Sequence, residues 1–247
     1  MNNDSLKNKV AIVTGAGRGI GKAIAIAYAQ AGAAVICAAR TQAEIEETAY
    51  QITTNGGQAL AVQTDVTDLS SVTRMVEATV RHFSGIDILV INAGSNYDRR
   101  TVEESEPDDW ERTIAVNLTG AYYCAQAVIP HLKARGSGKI ITIGSGLGHH
   151  GTVARSAYAC SKAGLWMLTR VLAQELIADR ISVNEIIPGP VETALNQNPQ
   201  SLQASIPGYA SEWTKKPEDV TSLALFLATQ PDIGPTAQSY SLMRRDR

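Results

Sequence analysis

Cysteine is scarce in this chain of 247 residues, with three at Cys37, Cys124 and Cys160. They are odd in number, far apart and without the paired spacing of a zinc site or redox motif, so neither a disulfide scaffold nor a metal centre is expected and a reducing, cytoplasmic setting fits. Charge of one sign is equally short: 22 Lys plus Arg stand against 24 Asp plus Glu, a net charge of -2. With no long basic run, nucleic acid is not an expected partner. The closest candidate for a membrane segment, the uncharged run between Lys22 and Arg40, has 17 residues and is split by Gly32, against the ~20 that a span needs. The polar stretch 1–9 carries no apolar core ahead of a cleavage site, so no export signal is expected. Repeats, low-complexity tracts and linkers are missing too, which leaves one domain over 1–247 as the expectation.

What the chain does have is core-forming material, at 44% hydrophobic residues. A chain of this size buries roughly 72 to 75% of its unfolded surface, so disorder is excluded. Short β-branched apolar runs at 10–14, 34–38, 59–63, 86–91, 139–143 and 181–187 read as strands with little polar alternation, as in a parallel sheet covered on both faces. Amphipathic stretches at 20–31, 42–55, 69–83, 110–133, 156–178 and 218–228 fill the gaps as helices. That alternation predicts a doubly wound α/β fold of the Rossmann type. The least regular stretch, 188–216, is rich in Pro, Asn, Gln and Ser and reads as a lid over the carboxyl edge of the sheet.

The first strand runs into Thr14-Gly15-Ala16-Gly17-Arg18-Gly19-Ile20-Gly21-Lys22. A triphosphate-binding loop fails here, because Ala16 stands where its first Gly belongs and Ala23 replaces its hydroxyl residue. The general Gly-x-Gly-x-x-Gly fingerprint fails at Ile20. Thr-Gly-x-x-x-Gly-x-Gly fits, with Gly15, Gly19 and Gly21 permitting a sharp turn, close approach to a pyrophosphate and packing of the following helix, whose N-terminus faces the phosphates. About 20 residues on, where an NAD site places an acid for the ribose 2′-hydroxyl, the chain has Ala39 and Arg40, and no acid before Glu44. Arg40 and Arg18 suit a 2′-phosphate instead, so NADP is the expected coenzyme.

Tyr158 and Lys162 are four apart, hence one turn apart on one helix face. A phenol with a reference pKa near 10 becomes a useful acid or base at neutral pH only if a neighbouring cation, here Lys162 together with an oxidised nicotinamide, lowers it. Thirteen residues earlier Ser145 ends a strand, placed to donate to a carbonyl oxygen. Taken singly, a Tyr-x-x-x-Lys pair and a turn serine are commonplace.

In this order the motifs resemble those of the short-chain dehydrogenase/reductase family, over roughly 10–227. The resemblance implies Tyr158 as general acid or base, Ser145 orienting the carbonyl, Lys162 binding the nicotinamide ribose and Asn117 holding a relay water. It implies cofactor contacts by Gly15, Gly17, Arg18, Gly19, Ile20, Arg40, Asp65, Val66, Asn92, Ala93, Gly94, Tyr158, Lys162, Pro188, Gly189, Val191 and Thr193. It also implies a homotetramer pairing the helices that carry Asn117 and Tyr158. The expected activity is NADP-dependent reduction of a ketone or oxidation of a secondary alcohol; a non-catalytic redox sensor is the alternative, although it has no need of Ser145, Tyr158 and Lys162 together. The stretch 138–145 looks like that of 3-oxoacyl-[acyl-carrier-protein] reductases, a look shared by reductases of sugars, steroids and small ketones, so the substrate stays open. The family's terminal strand and Gly pair are not matched by the tail 238–247, and His149 and His150 read as solvated loop residues.

Overall fold

The computed structural model describes residues 4–193 and 212–243. Seven strands form one parallel sheet in the order β3-β2-β1-β4-β5-β6-β7, with β1 Val10–Thr14, β2 Ala34–Ala39, β3 Gln58–Gln63, β4 Ile88–Ile91, β5 Gly138–Ile143, β6 Ile181–Ile187 and β7 Ser239–Ser241. Every residue of β1, β4, β5 and β6 is buried, which explains why these strands show little polar alternation: both faces are covered. Alternate residues serve the two faces. Val13, Val35, Val90 and Ile141 join Ile24 and Tyr28 of α1 (Gly19–Gln30), Ile45 of α2 (Gln42–Thr54) and Leu227 on one side. Ile12, Ile36, Leu89 and Ile140 join Met75 of α3 (Leu69–Phe83), Leu132 and Leu165 on the other.

The helices follow from local chemistry. In α3 the apolar stripe Val72, Met75, Val76 and Thr79 repeats at helical spacing. Its first turn is closed by Asp68, whose carboxylate accepts from the Ser70 backbone N–H at 2.9 Å. The Tyr28 hydroxyl of α1 donates to the Ala224 carbonyl at 2.9 Å, which ties α1 to the last described helix, α7 (Thr221–Ala228).

Three expectations are adjusted. The helix expected over 110–133 is three pieces: α4 (Pro107–Ile114), a π-turn at Ala115–Thr119 and α5 (Gly120–Arg135). Strand β4 begins at Ile88 rather than at 86; just before it the Asp87 carboxylate accepts from the Val10 N–H at 2.8 Å and from Arg135 at 3.2 Å. The tail supplies a strand after all. Ser239–Ser241 pairs in parallel with β6, Glu185 opposite Ser239. It went unnoticed because three half-buried residues, two of them serine, carry no apolar signal.

Most of the expected lid, 194–211, lies outside the described residues. Its flanks are joined, with Val191 bridged to Lys215 and the Glu192 N–H donating to the Lys215 carbonyl at 2.9 Å.

Candidate active site

The strand order reverses between β1 and β4, and in open α/β sheets ligands bind at such a point, beyond the strands' carboxyl ends. The side chain of Thr14 at the end of β1 donates to the Val90 carbonyl at 3.2 Å and accepts from the Asn92 and Ala93 N–H groups at 2.9 and 3.1 Å. Asn92 returns the bond, its amide donating to the Thr14 carbonyl at 2.9 Å and to that of Gly15 at 3.3 Å. These bonds fix the glycine turn on the sheet. Gly15 (φ 68°) is left-handed, and a Cβ on Gly21 would overlap the Gly15 carbonyl oxygen and the Asn92 amide. The turn therefore tolerates no side chain there, and α1 starts at Gly19 with its free N–H groups at the cleft.

The cleft has a volume of about 420 Å³ and is lined by every catalytic or cofactor-contact residue that the resemblance implied except Asn117. At one end stand the exposed cations. Arg18 pairs with Glu44 at 3.6 Å, and Arg40 donates to the Tyr97 hydroxyl at 3.3 Å. Burial works to raise the Tyr97 phenol, but hydrogen bonding and charge from Arg40 outweigh it and hold the group below its usual value. Asp65 is drawn into its own turn, accepting from the Thr67 N–H and hydroxyl at 2.9 and 2.8 Å.

At the other end Ser145 follows β5, its Oγ accepting from the Leu147 N–H at 3.2 Å. Tyr158 and Lys162 lie in the first two turns of α6 (Ser156–Glu175). The Lys162 ammonium donates to the Ile143 carbonyl at 2.8 Å and lies 5.8 Å from the centre of the Tyr158 ring. Burial pushes Lys162 down to about 8, partly offset by the negative charge of Glu185. Tyr158 differs from the sequence expectation. Its burial raises it above the usual phenol value, against the opposing effects of the Ser145 hydroxyl and the Arg155 guanidinium. Desolvation disfavours the phenolate more than these neighbours favour it.

Asn117 stands in the π-turn, a feature that recurs at functional sites. Its side chain is committed to the protein: Oδ1 accepts from the Ser95 N–H at 2.8 Å, and Nδ2 donates to the Ser95 carbonyl and the Ser161 hydroxyl, each at 2.9 Å. Ser161 in turn donates to the Tyr158 carbonyl at 2.8 Å. Asn117 thus braces the 92–96 loop against the helix that carries Tyr158.

Sequence reasoning missed Glu185, entirely buried in β6 beneath the Ser145 turn. Its Oε1 lies against Gly144, where a Cβ would overlap it, and has no hydrogen-bond partner among the described residues. Its Oε2 meets the His149 ring nitrogen at 3.1 Å and accepts from Ser239. His149 is therefore not a free loop histidine, and it also stacks edge-on with Trp166; both it and His150 are exposed. The available signal was the one charged residue in a strand otherwise made of apolar and neutral polar residues. Arg99 and Arg155, also in the cleft wall, were missed as well.

Two thiols, Cys37 and Cys124, are buried and pushed up to about 12 by desolvation, whereas Cys160 is exposed; none is in a disulfide. Among the described residues there is no metal-holding group of His, Cys, Asp and Glu, and no helix is long and apolar enough to cross a membrane.

A parallel sheet of order 3-2-1-4-5-6-7 with this glycine turn and a Ser–Tyr–Lys cluster defines a class, and the short chain dehydrogenase family model matches residues 9–203. The chain belongs to the short-chain dehydrogenase/reductase family. Among curated relatives it is similar to a 3-oxoacyl-[acyl-carrier-protein] reductase of Synechocystis sp., 36% identical over 92% of each chain. It is also similar to a cis-4-hydroxycyclohexanecarboxylate dehydrogenase of Sinomonas cyclohexanicum, 34% identical over 92% of this chain and 91% of the relative. A short-chain type dehydrogenase/reductase from Mycobacterium marinum superposes with a TM-score of 0.89 at 34% identity, covering 97% and 96% of the two chains.

Proposed function

We propose that the chain is an NADP(H)-dependent oxidoreductase acting between a ketone and a secondary alcohol, with Tyr158 as the general acid or base. The observation that carries this reading is one cleft walled at one end by the glycine turn with Arg18 and Arg40, and at the other by Ser145, Tyr158 and Lys162. The cradle fits the coenzyme. Gly15, Gly19 and the start of α1 offer backbone N–H groups to a pyrophosphate, Arg40 and Arg18 suit a 2′-phosphate, and Val191 and Thr193 with Pro188 and Gly189 wall the nicotinamide end. When bound, the nicotinamide supplies or accepts the hydride.

The protein's own residues do the rest. Ser145 donates a hydrogen bond to the carbonyl oxygen, stabilising charge as it develops. Tyr158 gives its proton to that oxygen in reduction and removes it in oxidation. Lys162 stabilises the phenolate that results. Burial holds the Tyr158 phenol above its usual value and so keeps it protonated at neutral pH; the Lys162 ammonium together with an oxidised nicotinamide, when bound, would lower it toward the range in which it exchanges a proton.

Exposed apolar side chains on α5 and α6, Tyr122 (45%), Met167 (49%) and Val171 (43%), support assembly through these helices and so the tetramer. The unpaired thiols support a reducing, cytoplasmic setting.

Oxidation of NADPH at 340 nm with a panel of 3-oxo esters, sugars, steroids and cyclic ketones tests the proposal. The Sinomonas relative is named for a hydroxy carboxylate, so 4-oxocyclohexanecarboxylate belongs in the panel. Tyr158→Phe should lower turnover by about 10²–10⁴-fold while NADPH still binds. Unchanged turnover in that variant would overturn the assignment of the acid.

A further inference from the structure

We propose that Glu185 is a positioning residue of this site: from beneath the Ser145 turn it anchors that turn through His149 and serves as the counter-charge to Lys162. The role rests on the oxidoreductase reading and adds to it a residue outside the cleft lining.

A carboxylate removed from water is costly unless donors and a cation meet it. Glu185 has no exposure at all, and its partners come from two other elements. Ser239 of β7 donates to Oε2, and the His149 ring nitrogen meets the same oxygen at 3.1 Å. His149 closes the short turn Gly146–Gly148 that Ser145 opens. The turn is gripped from the α6 side too. A Cβ on Gly148 would overlap the main-chain carbonyl carbon of Lys162, and His149 stacks on Trp166 with ring centres 5.1 Å apart. Trp166 lies one helix turn after Lys162. Ser145, which orients the carbonyl, is therefore held between β6 and α6 by contacts that converge on His149.

The other carboxylate oxygen, Oε1, lies against Gly144 and has no hydrogen-bond partner among the described residues. Its charge is met by no donor and acts on the pocket. The protein charge that acts on buried Lys162 is that of Glu185, and it favours the ammonium against desolvation. The other titratable groups about Lys162 are Tyr158, one turn earlier in α6, and His149, through its bond to Glu185; Arg155 acts on Tyr158. The 92–96 loop, whose Gly94 faces the Lys162 Nζ, holds no titratable side chain.

Steady-state reduction followed across pH tests this with Glu185→Gln, or with Glu185→Leu should the first variant not fold. In carbonyl reduction the alkaline limb of kcat marks the loss of a proton from the Tyr158–Lys162 pair, and removing a neighbouring negative charge moves that loss to lower pH for either group. The limb should move toward acid by about one pH unit or more, with the ketone KM close to that of wild type. Glu185→Asp, which keeps the charge, should bring the limb back toward its wild-type place. A limb unmoved in the neutral variants overturns the proposal whatever happens to kcat, since packing alone would lower kcat without moving it. If the wild type reduces no ketone, the oxidoreductase reading fails by itself, and the counter-charge is judged without turnover. Denaturant titrations of the coenzyme-free protein then compare Lys162→Met in the wild-type and Glu185→Gln backgrounds. The pH dependence of stability that Lys162→Met removes should begin at a lower pH when Glu185 is neutral; the same onset in both backgrounds overturns the role.

Discussion

The two ends of the cleft carry cations of the same sign in different surroundings. Arg18 and Arg40 at the coenzyme end are exposed, one paired with Glu44 and the other bonded to the neutral Tyr97 hydroxyl. At the substrate end Arg155 is partly buried and Lys162 is 4% exposed, held by main-chain carbonyls. Exposed arginines in water keep their charge at little cost and select a ligand by position and fork geometry. A buried lysine must give up hydration, so its charge depends on pH and on what enters the pocket. One end recognises; the other is tuned.

The largest effect that would break this comparison is at Arg40. Arg40→Asp should shift the ratio of NADPH to NADH efficiency toward NADH by about 30-fold or more, since a hydrogen bond to a charged group contributes about 1.5–3 kcal/mol and each 1.4 kcal/mol is tenfold. A steady-state comparison of the two coenzymes measures it. An unchanged ratio would remove Arg40 from the 2′-phosphate site.

A smaller effect sharpens the other half. Lys162 is held near about 8 when folded, whereas an unfolded Lys titrates near about 10.4. Between those values the unfolded chain binds more protons, so stability must rise with pH; below pH 8 the cost of burying the ammonium is present in full. Denaturant titrations of the coenzyme-free protein between about pH 8 and pH 9.5 should show a gain of up to about 1.4 kcal/mol per pH unit that Lys162→Met lacks. Parallel slopes for the two proteins would mean that Lys162 is not desolvated.

The same division explains what the amino-acid order disclosed. The glycine turn, the helix that follows it and the Tyr158–Lys162 pair are local: their meaning lies in backbone freedom and in a spacing of four, and the structure places them around one cleft. The strands β1 to β6 were legible because burial on both faces leaves them rich in β-branched apolar residues. The π-turn was not, since Ala115–Thr119 has no composition that separates it from α-helix and its side chain Asn117 is read only through contacts with Ser95 and Ser161. Arg155 looked like any loop arginine until the fold placed it in the cleft wall beside Tyr158. Glu185 gains its place from packing under Gly144 and from meeting His149 across 36 positions.

The most direct test of the account is a crystal structure of the protein with oxidised NADP and a bound ketone or alcohol. The account predicts one ligand oxygen within hydrogen-bond reach, about 2.6–3.2 Å, of both the Tyr158 hydroxyl and Ser145 Oγ, with the 2′-phosphate against Arg40. A phenol turned away from the ligand, with the coenzyme bound elsewhere than the glycine turn, would contradict it.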